Sequence, residues 1–94
     1  MPNVRVRYYN ILRDATGRAE ETLPAPALIT LRGFLRNVVA QRHPSVGTLL
    51  ILADGEISPY TRIFRNGEVV SLTGLDEHLN DGDEIRLFPA VAGG

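Results

Sequence analysis

The sequence of 94 residues contains no cysteine and no lysine, because all ten of its basic residues are arginine. Without a thiol, the chain cannot form disulfide bonds, thiolate metal sites or a cysteine nucleophile, and no side chain can carry a persulfide. Without a lysine amine, a Schiff-base mechanism is excluded, and one copy cannot be linked to a lysine of another. Codon usage that favours arginine can explain the missing lysine, but the chemical consequences are the same.

Strong net charge and long apolar segments are also missing. The net charge is −1, so the excess positive charge on which nucleic-acid binding depends is absent. The longest uninterrupted apolar run covers residues 49–53, far short of the ~20 residues that span a bilayer. Residues 1–5 lack the basic and then apolar layout of a signal peptide. We therefore expect a cytoplasmic protein that binds neither nucleic acid nor a membrane.

The composition that remains is that of one globular domain. Apolar residues make up 44% of the chain, which fits a folded protein with a single core. Residues 3–9 and 84–88 alternate apolar and polar side chains, as half-buried strands do. The apolar positions of these two segments, which we expect to face the core, are Val4, Val6, Tyr8, Ile85 and Leu87.

Two hairpins are also predicted. Residues 19–23 form a second strand that pairs with the first. Asn66-Gly67 is the strongest short-range hairpin signal, and it joins strands at residues 61–65 and 68–72.

The main helix signal follows Thr30, a typical N-cap residue. Apolar residues then recur at helical spacing, at Leu31, Phe34, Leu35, Val38 and Val39. His43-Pro44 ends this helix, because the residue before a proline disfavours the helical conformation.

Three further segments complete the chain. Residues 12–17 include Asp14 and Gly17 and are interpreted as a turn. Residues 45–60 are compatible with either a short helix or a strand, and residues 75–79 predict a short turn of helix.

These elements predict an α+β fold, with one mixed sheet and a single main helix packed across its inner face. The first and last strands can then lie side by side in the middle of the sheet. The domain is expected to cover residues 1–88, and residues 89–94 to form a flexible C-terminal tail.

No self-sufficient active site is evident in the sequence. Five carboxylates lie in turns and are assigned to turn geometry rather than acid–base chemistry: Asp14, Asp54, Asp76, Asp81 and Asp83. His43 lies at a helix C-terminus and His78 in a polar turn, so we interpret both as structural or solvated and expect no metal site. The glycines are scattered one per turn rather than forming a phosphate loop, so the chain is not expected to bind ATP.

One face of the predicted sheet has the composition of an interface. The outward positions of the first and last strands include Arg5, Arg7, Arg86 and Phe88. Phe64 or Ile63 joins them, depending on the orientation of that strand. Arginine and aromatic residues are enriched in protein interfaces. The alternative is a solvated face on which one aromatic residue covers the start of the tail.

The last residues of the sequence are Ala92-Gly93-Gly94. Two residues without side chains can thread a narrow channel and adopt any backbone angle there. The terminal carboxylate of Gly94 is a group that another enzyme could activate with ATP. The alternative interpretation is simple fraying, because terminal residues are commonly poorly ordered.

Three segments together resemble one family. They are Phe88-Pro89-Ala90-Val91-Ala92-Gly93-Gly94, the preceding Asp81-Gly82-Asp83-Glu84-Ile85, and Phe64-Arg65-Asn66-Gly67-Glu68. The sequence is similar to the small ubiquitin-like sulfur carriers of the MoaD and ThiS type, which include the small subunit of molybdopterin synthase. The resemblance covers nearly the whole chain, and the tail is its most specific part.

The resemblance implies a β-grasp fold and a carrier that is not itself an enzyme. An E1-like partner would adenylate the carboxylate of Gly94 with ATP, and sulfur from a persulfide would displace AMP to leave a thiocarboxylate. Residues Phe88, Pro89, Ala90, Val91, Ala92 and Gly93 would provide recognition of the tail. Phe64, Arg86, Arg5 and Arg7 would form the docking face, and no cofactor would be bound by the chain itself.

Several acceptors remain open under this resemblance. The first candidate acceptor is the large subunit of molybdopterin synthase, and the second is a cysteine synthase that acts on an activated serine. Related carriers of the same family supply sulfur for thiamine synthesis and for tRNA thiolation. The turn Arg65-Asn66-Gly67-Glu68 also resembles archaeal modifiers that attach to protein lysines. An inert β-grasp binding module with an incidental glycine tail is the remaining alternative.

Overall fold

The computed structural model describes residues 1–89. Within this range, five strands form one mixed sheet in the order β2-β1-β5-β3-β4. The strands are β1 (Asn3–Tyr8), β2 (Glu20–Pro24), β3 (Arg62–Arg65), β4 (Glu68–Val69) and β5 (Glu84–Phe88). β1 and β5 are parallel neighbours at the centre, whereas the other pairs are antiparallel. The mixed sheet and the central pairing of the first and last strands are therefore confirmed.

The main helix is also confirmed, with an irregular centre that the sequence did not predict. The Thr30 hydroxyl caps it by accepting a hydrogen bond of 3.0 Å from the Gly33 N–H. The helix then runs through three consecutive segments, which are α-helical at Leu31–Phe34, π-helical at Leu35–Val39 and α-helical at Ala40–Arg42.

The core lies between this helix and the inner face of the sheet. The helix contributes four buried side chains to it, from Leu31, Phe34, Leu35 and Val39. The sheet contributes Val4, Val6, Tyr8, Ile63, Ile85 and Leu87, each at most 5% exposed. The predicted inward positions of β1 and β5 are therefore correct. No helix among residues 1–89 is both long enough and apolar enough to cross a membrane.

The interpretation of residues 12–17 as a turn is wrong, because the segment Ile11–Thr16 is a short helix. Gly17 ends this helix in the left-handed conformation, with φ 75°, and its N–H donates to the Arg13 carbonyl at 2.9 Å. Asp14, which was assigned to a turn, lies within this helix, and Gly17 is the signal that ends it. The fully buried side chain of Leu12 anchors the helix to the core.

The ambiguous segment begins with a second short helix at Pro44–Leu50. Pro44 occupies its first turn, where a missing N–H costs nothing, so the residue that ends the main helix also begins the next one. A bridge between Ile51 and Ile57 follows. The short turn of helix predicted at residues 75–79 is instead a 3₁₀ turn at Thr73–Asp76.

Candidate docking face and tail

Strand register brings the predicted outward residues onto one face. Arg7 lies opposite Arg86 in the β1–β5 pair, and Phe64 lies opposite Arg86 in the β3–β5 pair. Arg62 lies opposite Phe88, so the start of β3 and the end of β5 share one end of the sheet. Because Ile63 is buried at 5% exposure, Phe64 is the residue of β3 that joins this face.

An aromatic cluster lies where β5 ends. The ring of Phe88 stacks on Tyr9 with centroids 4.1 Å apart and an interplanar angle of 14°. The rings of Phe64 and Phe88 form a T-shaped pair, with centroids 5.4 Å apart and an interplanar angle of 78°. Aromatic pairs of these two geometries are favourable. Tyr9 was not among the predicted docking residues, although its position in the alternation of residues 3–9 places it on the outward face.

The arginines of this face are accompanied by carboxylates that the sequence analysis did not connect with them. Glu84 lies 2.8 Å from Arg86 and 3.9 Å from Arg5, and Glu20 lies 3.7 Å from Arg5 and 4.0 Å from Arg7. The hydrogen bond that Arg86 donates to the Glu84 carboxylate raises the pKa of Arg86. The face therefore carries paired charges around an aromatic cluster, rather than a uniformly basic surface.

A buried carboxylate fixes the start of β5. Asp83 is 5% exposed and accepts hydrogen bonds from Arg65 Nε at 3.1 Å, from the Asn66 amide at 2.9 Å and from the Asn80 N–H at 2.8 Å. Burial by itself would raise the pKa of Asp83, but these donors outweigh it and hold that pKa below its ordinary value. Asp83 is thus more than a turn residue, because it ties the β3–β4 hairpin to β5.

A second buried carboxylate lies on the inner side of the sheet. Glu21 accepts hydrogen bonds from the Tyr8 hydroxyl at 2.6 Å and from Arg42 at 2.6 Å, and it lies 2.5 Å from His43 Nε2. Burial opposes ionisation of Glu21, yet these three partners hold its pKa below the ordinary value. Burial and the nearby carboxylate raise the pKa of Tyr8. His43 therefore has a structural role, joining the end of the main helix to β2.

The tail is described only as far as Pro89, which is half-buried. Five predicted tail residues, Ala90, Val91, Ala92, Gly93 and Gly94, lie outside the described residues. Among residues 1–89, no group of three histidine or acidic side chains could hold a metal ion.

Comparison with known proteins identifies the family. The family model described as the ThiS family matches residues 6–94. The small archaeal modifier protein 3 of Haloferax volcanii is 33% identical over 92 residues, which cover 97% of this chain and 98% of that protein. Members of the family are small carrier or modifier proteins rather than catalysts.

Solved structures agree with this assignment. The crystal structure of SAMP1 from Haloferax volcanii superposes with a TM-score of 0.86 at 26% identity, covering 98% of this chain and 99% of that one. The putative molybdopterin converting factor subunit 1 from Pyrococcus furiosus gives a TM-score of 0.75 at 28% identity, covering 97% and 100%. These neighbours confirm the ubiquitin-like β-grasp fold. The chain belongs to the ThiS family of ubiquitin-like sulfur carriers.

Proposed function

We propose that this chain is a sulfur carrier whose Gly94 carboxylate is adenylated by an E1-like enzyme and converted into a thiocarboxylate. The observation that carries the proposal is the family match through residue 94, which includes the Gly93-Gly94 end. The chain binds no cofactor of its own in this scheme, and the activating enzyme uses the ATP.

Two parts of this chain contact the activating enzyme, namely the outward face of the sheet and the tail. The arginine and aromatic side chains of the outward face contact the partner enzyme, with Phe88 as their centre. Residues 89–92 are recognised as they enter that enzyme. Gly93 and Gly94 lack the Cβ atoms that would obstruct a narrow entrance to the ATP site.

The chemistry follows from the weak reactivity of a carboxylate. The Gly94 carboxylate attacks the α-phosphorus of ATP, pyrophosphate leaves, and an acyl adenylate forms. The terminal sulfur of a persulfide displaces AMP to give an acyl disulfide, and a thiol then cleaves the S–S bond to release the thiocarboxylate. Because this chain has no cysteine, both sulfur reagents come from a partner protein or a small thiol. The product is an anionic sulfur nucleophile.

For the acceptor, we propose the large subunit of molybdopterin synthase, with this chain as the small subunit. The supporting observation is the full-length likeness to the putative molybdopterin converting factor subunit of Pyrococcus furiosus.

This assignment can be tested with thiocarboxylated protein, the large subunit of the same organism and the pterin precursor. The expected result is that the chain returns to its carboxylate mass while the pterin gains sulfur. A chain that keeps its sulfur with this acceptor, but loses it to a cysteine synthase acting on an activated serine, would contradict the molybdopterin assignment alone.

A protein modifier is the second candidate, favoured by the 33% identity to small archaeal modifier protein 3 over nearly the whole chain. A modifier would form an isopeptide bond between Gly94 and lysines of other proteins. Immunoblots of boiled, reduced extracts separate the two candidates, because conjugates survive denaturation as heavier bands. A carrier alone leaves only the free chain. Since this chain lacks lysine, conjugates would not extend through lysines of further copies.

A further inference from the structure

We infer that the enzyme that activates the tail also inserts an apolar side chain into a groove beside β3, between the loop at residues 58–61 and the residues that follow β4. This inference rests on the proposed function and adds a second contact area, separate from the outward face of the sheet. The groove is named here the edge groove, and its lining includes Ser58, Pro59, Thr61, Val70 and Leu72.

The length of the tail limits where that enzyme can lie. Five residues follow Pro89, and a fully extended chain spans at most about 3.3–3.6 Å per residue, or roughly 17 Å in total. An enzyme that encloses the carboxylate of Gly94 must therefore have the rim of its channel against the surface around Pro89. The end of the sheet where β5 finishes is consequently covered whenever the tail is in use.

The edge groove lies at that same end. Thr61 directly precedes Arg62, which is paired with Phe88, the last residue of β5. On the β4 side of β3, the Val70 N–H donates to the Ile63 carbonyl at 2.8 Å. Because β3 and β4 are antiparallel, the chain that follows Val70 leads to Leu72 in the direction of the end of the sheet where β5 finishes. The edge groove and the aromatic cluster therefore lie at the end of the sheet that the rim of the channel covers.

The groove is bordered by large apolar side chains that the fold leaves in solvent. Tyr60 is 74% exposed and Leu72 is 75% exposed. Hydrogen bonds from the Tyr60 N–H to the Ser58 hydroxyl and from the Thr61 N–H to the Ser58 carbonyl hold this loop in a turn. Single exposed apolar residues are ordinary, but two that border a groove at an obligatory contact point have the character of an interface.

The size and chemistry of the groove indicate its occupant. Its volume is about 270 Å³, below the roughly 300–1,000 Å³ of small-molecule pockets, and Ile57, Ile63 and Leu75 form part of its apolar floor. Such a space suits one leucine, methionine or phenylalanine side chain from the rim of the activating enzyme. A charged side chain would lose its hydration there without a described counter-charge among these lining residues.

The test compares two exposed leucines at opposite ends of the molecule. Leu28 is 76% exposed, close to the value for Leu72. It lies in the loop that follows β2, and the end of β2 pairs with Asn3, at the end of the sheet away from the tail. Wild type, Leu72→Glu and Leu28→Glu are titrated against the E1-like enzyme of the same organism in an ATP–pyrophosphate exchange assay. Tyr60→Ala is a second groove variant without added charge, and thermal melts check that each variant is folded.

The expected result is a KM for the carrier that rises about tenfold for Leu72→Glu and severalfold for Tyr60→Ala, with kcat within about twofold. Leu28→Glu should keep the wild-type KM. If wild type is activated but both groove variants match Leu28→Glu, the inference is overturned and the proposed function stands. If wild type itself supports no exchange, the proposed function fails and the inference fails with it. Should Leu72→Glu not fold, Tyr60→Ala decides by the same criterion.

Discussion

The side chains at the two ends of β5 differ in how completely the rest of the fold buries them and forms contacts with them. At its start, Asp83 is buried and each of its oxygens accepts hydrogen bonds from the β3–β4 hairpin or the preceding turn. At its end, Phe88 is only partly covered, by stacking on Tyr9 and by the edge of Phe64, and the chain continues for six more residues. The hydrogen bonds of the first end are satisfied within the molecule, whereas the second end presents apolar surface where the proposed reactive tail begins.

We propose that this difference separates stability from recognition along a strand of five residues. Substitutions at the start of β5 should destabilise the domain without a selective effect on partner binding. Substitutions at its end should weaken partner binding while the domain remains folded. The following predictions test that separation, beginning with the largest effect.

Deletion of Gly94, or Gly94→Ala, should abolish thiocarboxylation and leave the fold unchanged. The deletion moves the carboxylate back by one residue, roughly 3.5 Å, and the added methyl obstructs the narrow entrance to the ATP site. Intact-protein mass spectrometry after incubation with ATP, the E1-like enzyme and a sulfur donor measures the sulfur gain, and circular dichroism checks the fold. Asp14→Ala, at an exposed position outside the tail and the docking face, is the control that keeps the whole tail intact. Normal sulfur gain by either Gly94 variant would contradict the channel argument.

Asp83→Ala should lower the free energy of unfolding by about 3 kcal/mol, because it leaves Arg65 and Asn66 without their buried acceptor. Urea denaturation measures the loss, and the matched control is Asp14→Ala, at an exposed carboxylate, for which a change within about 0.5 kcal/mol is expected. At temperatures where Asp83→Ala is folded, its KM for the activating enzyme should equal that of wild type. Equal stability of the two variants would show that the Asp83 network is not what fixes the start of β5.

Phe88→Ala should raise the KM of the carrier for the activating enzyme about tenfold, a change worth about 1.4 kcal/mol. The substitution removes the ring that contacts both Tyr9 and Phe64, at the centre of the cluster. Leu28→Ala is the control, because Leu28 is 76% exposed and follows the end of β2 that pairs with Asn3, away from the docking face. A KM for Phe88→Ala that matches Leu28→Ala would remove the aromatic cluster from the docking face.

Stability should decline in acid because two buried carboxylates, Glu21 and Asp83, have lowered pKa values in the folded protein. Each stabilises the fold fully above its unfolded pKa of about 4, and that contribution is lost as pH falls through the lower folded pKa. The melting temperature should therefore be nearly constant from pH 7 to about 5 and then fall.

The substitution Glu21→Gln should make that acid-induced fall shallower. The neighbouring Glu20→Gln, at an exposed position, should leave it as steep as in wild type. Melting curves between pH 3 and pH 7 provide the measurement. A fall of the same steepness in all three proteins would mean that Glu21 is not one of the groups responsible.

Much of the fold could be predicted because its signals are local. Thr30 predicts the start of the main helix, and Asn66-Gly67 predicts the second hairpin, since both depend on nearby backbone groups. The alternation in residues 3–9 and 84–88 correctly divides inward from outward residues. Gly17 did not distinguish a turn from a helix end, because a left-handed glycine is found equally well in both.

The parts that escaped prediction depend on contacts between distant residues. Nothing near Asp83 in the sequence indicates that Arg65 and Asn66 fold against it. The stacking of Tyr9 on Phe88 likewise requires knowing that β1 and β5 are parallel and in register. The short helix at Pro44–Leu50 was ambiguous because its two buried side chains, Val46 and Leu50, give too few positions to define a period.

The account as a whole depends on the chemical state of Gly94. The most direct measurement is intact-protein mass spectrometry of the chain purified from its native host, with fragmentation to locate any change. The account predicts a species heavier by the difference between one sulfur and one oxygen, with the change at Gly94. An unmodified mass that persists even after incubation with ATP, the E1-like enzyme and a sulfur donor would contradict it.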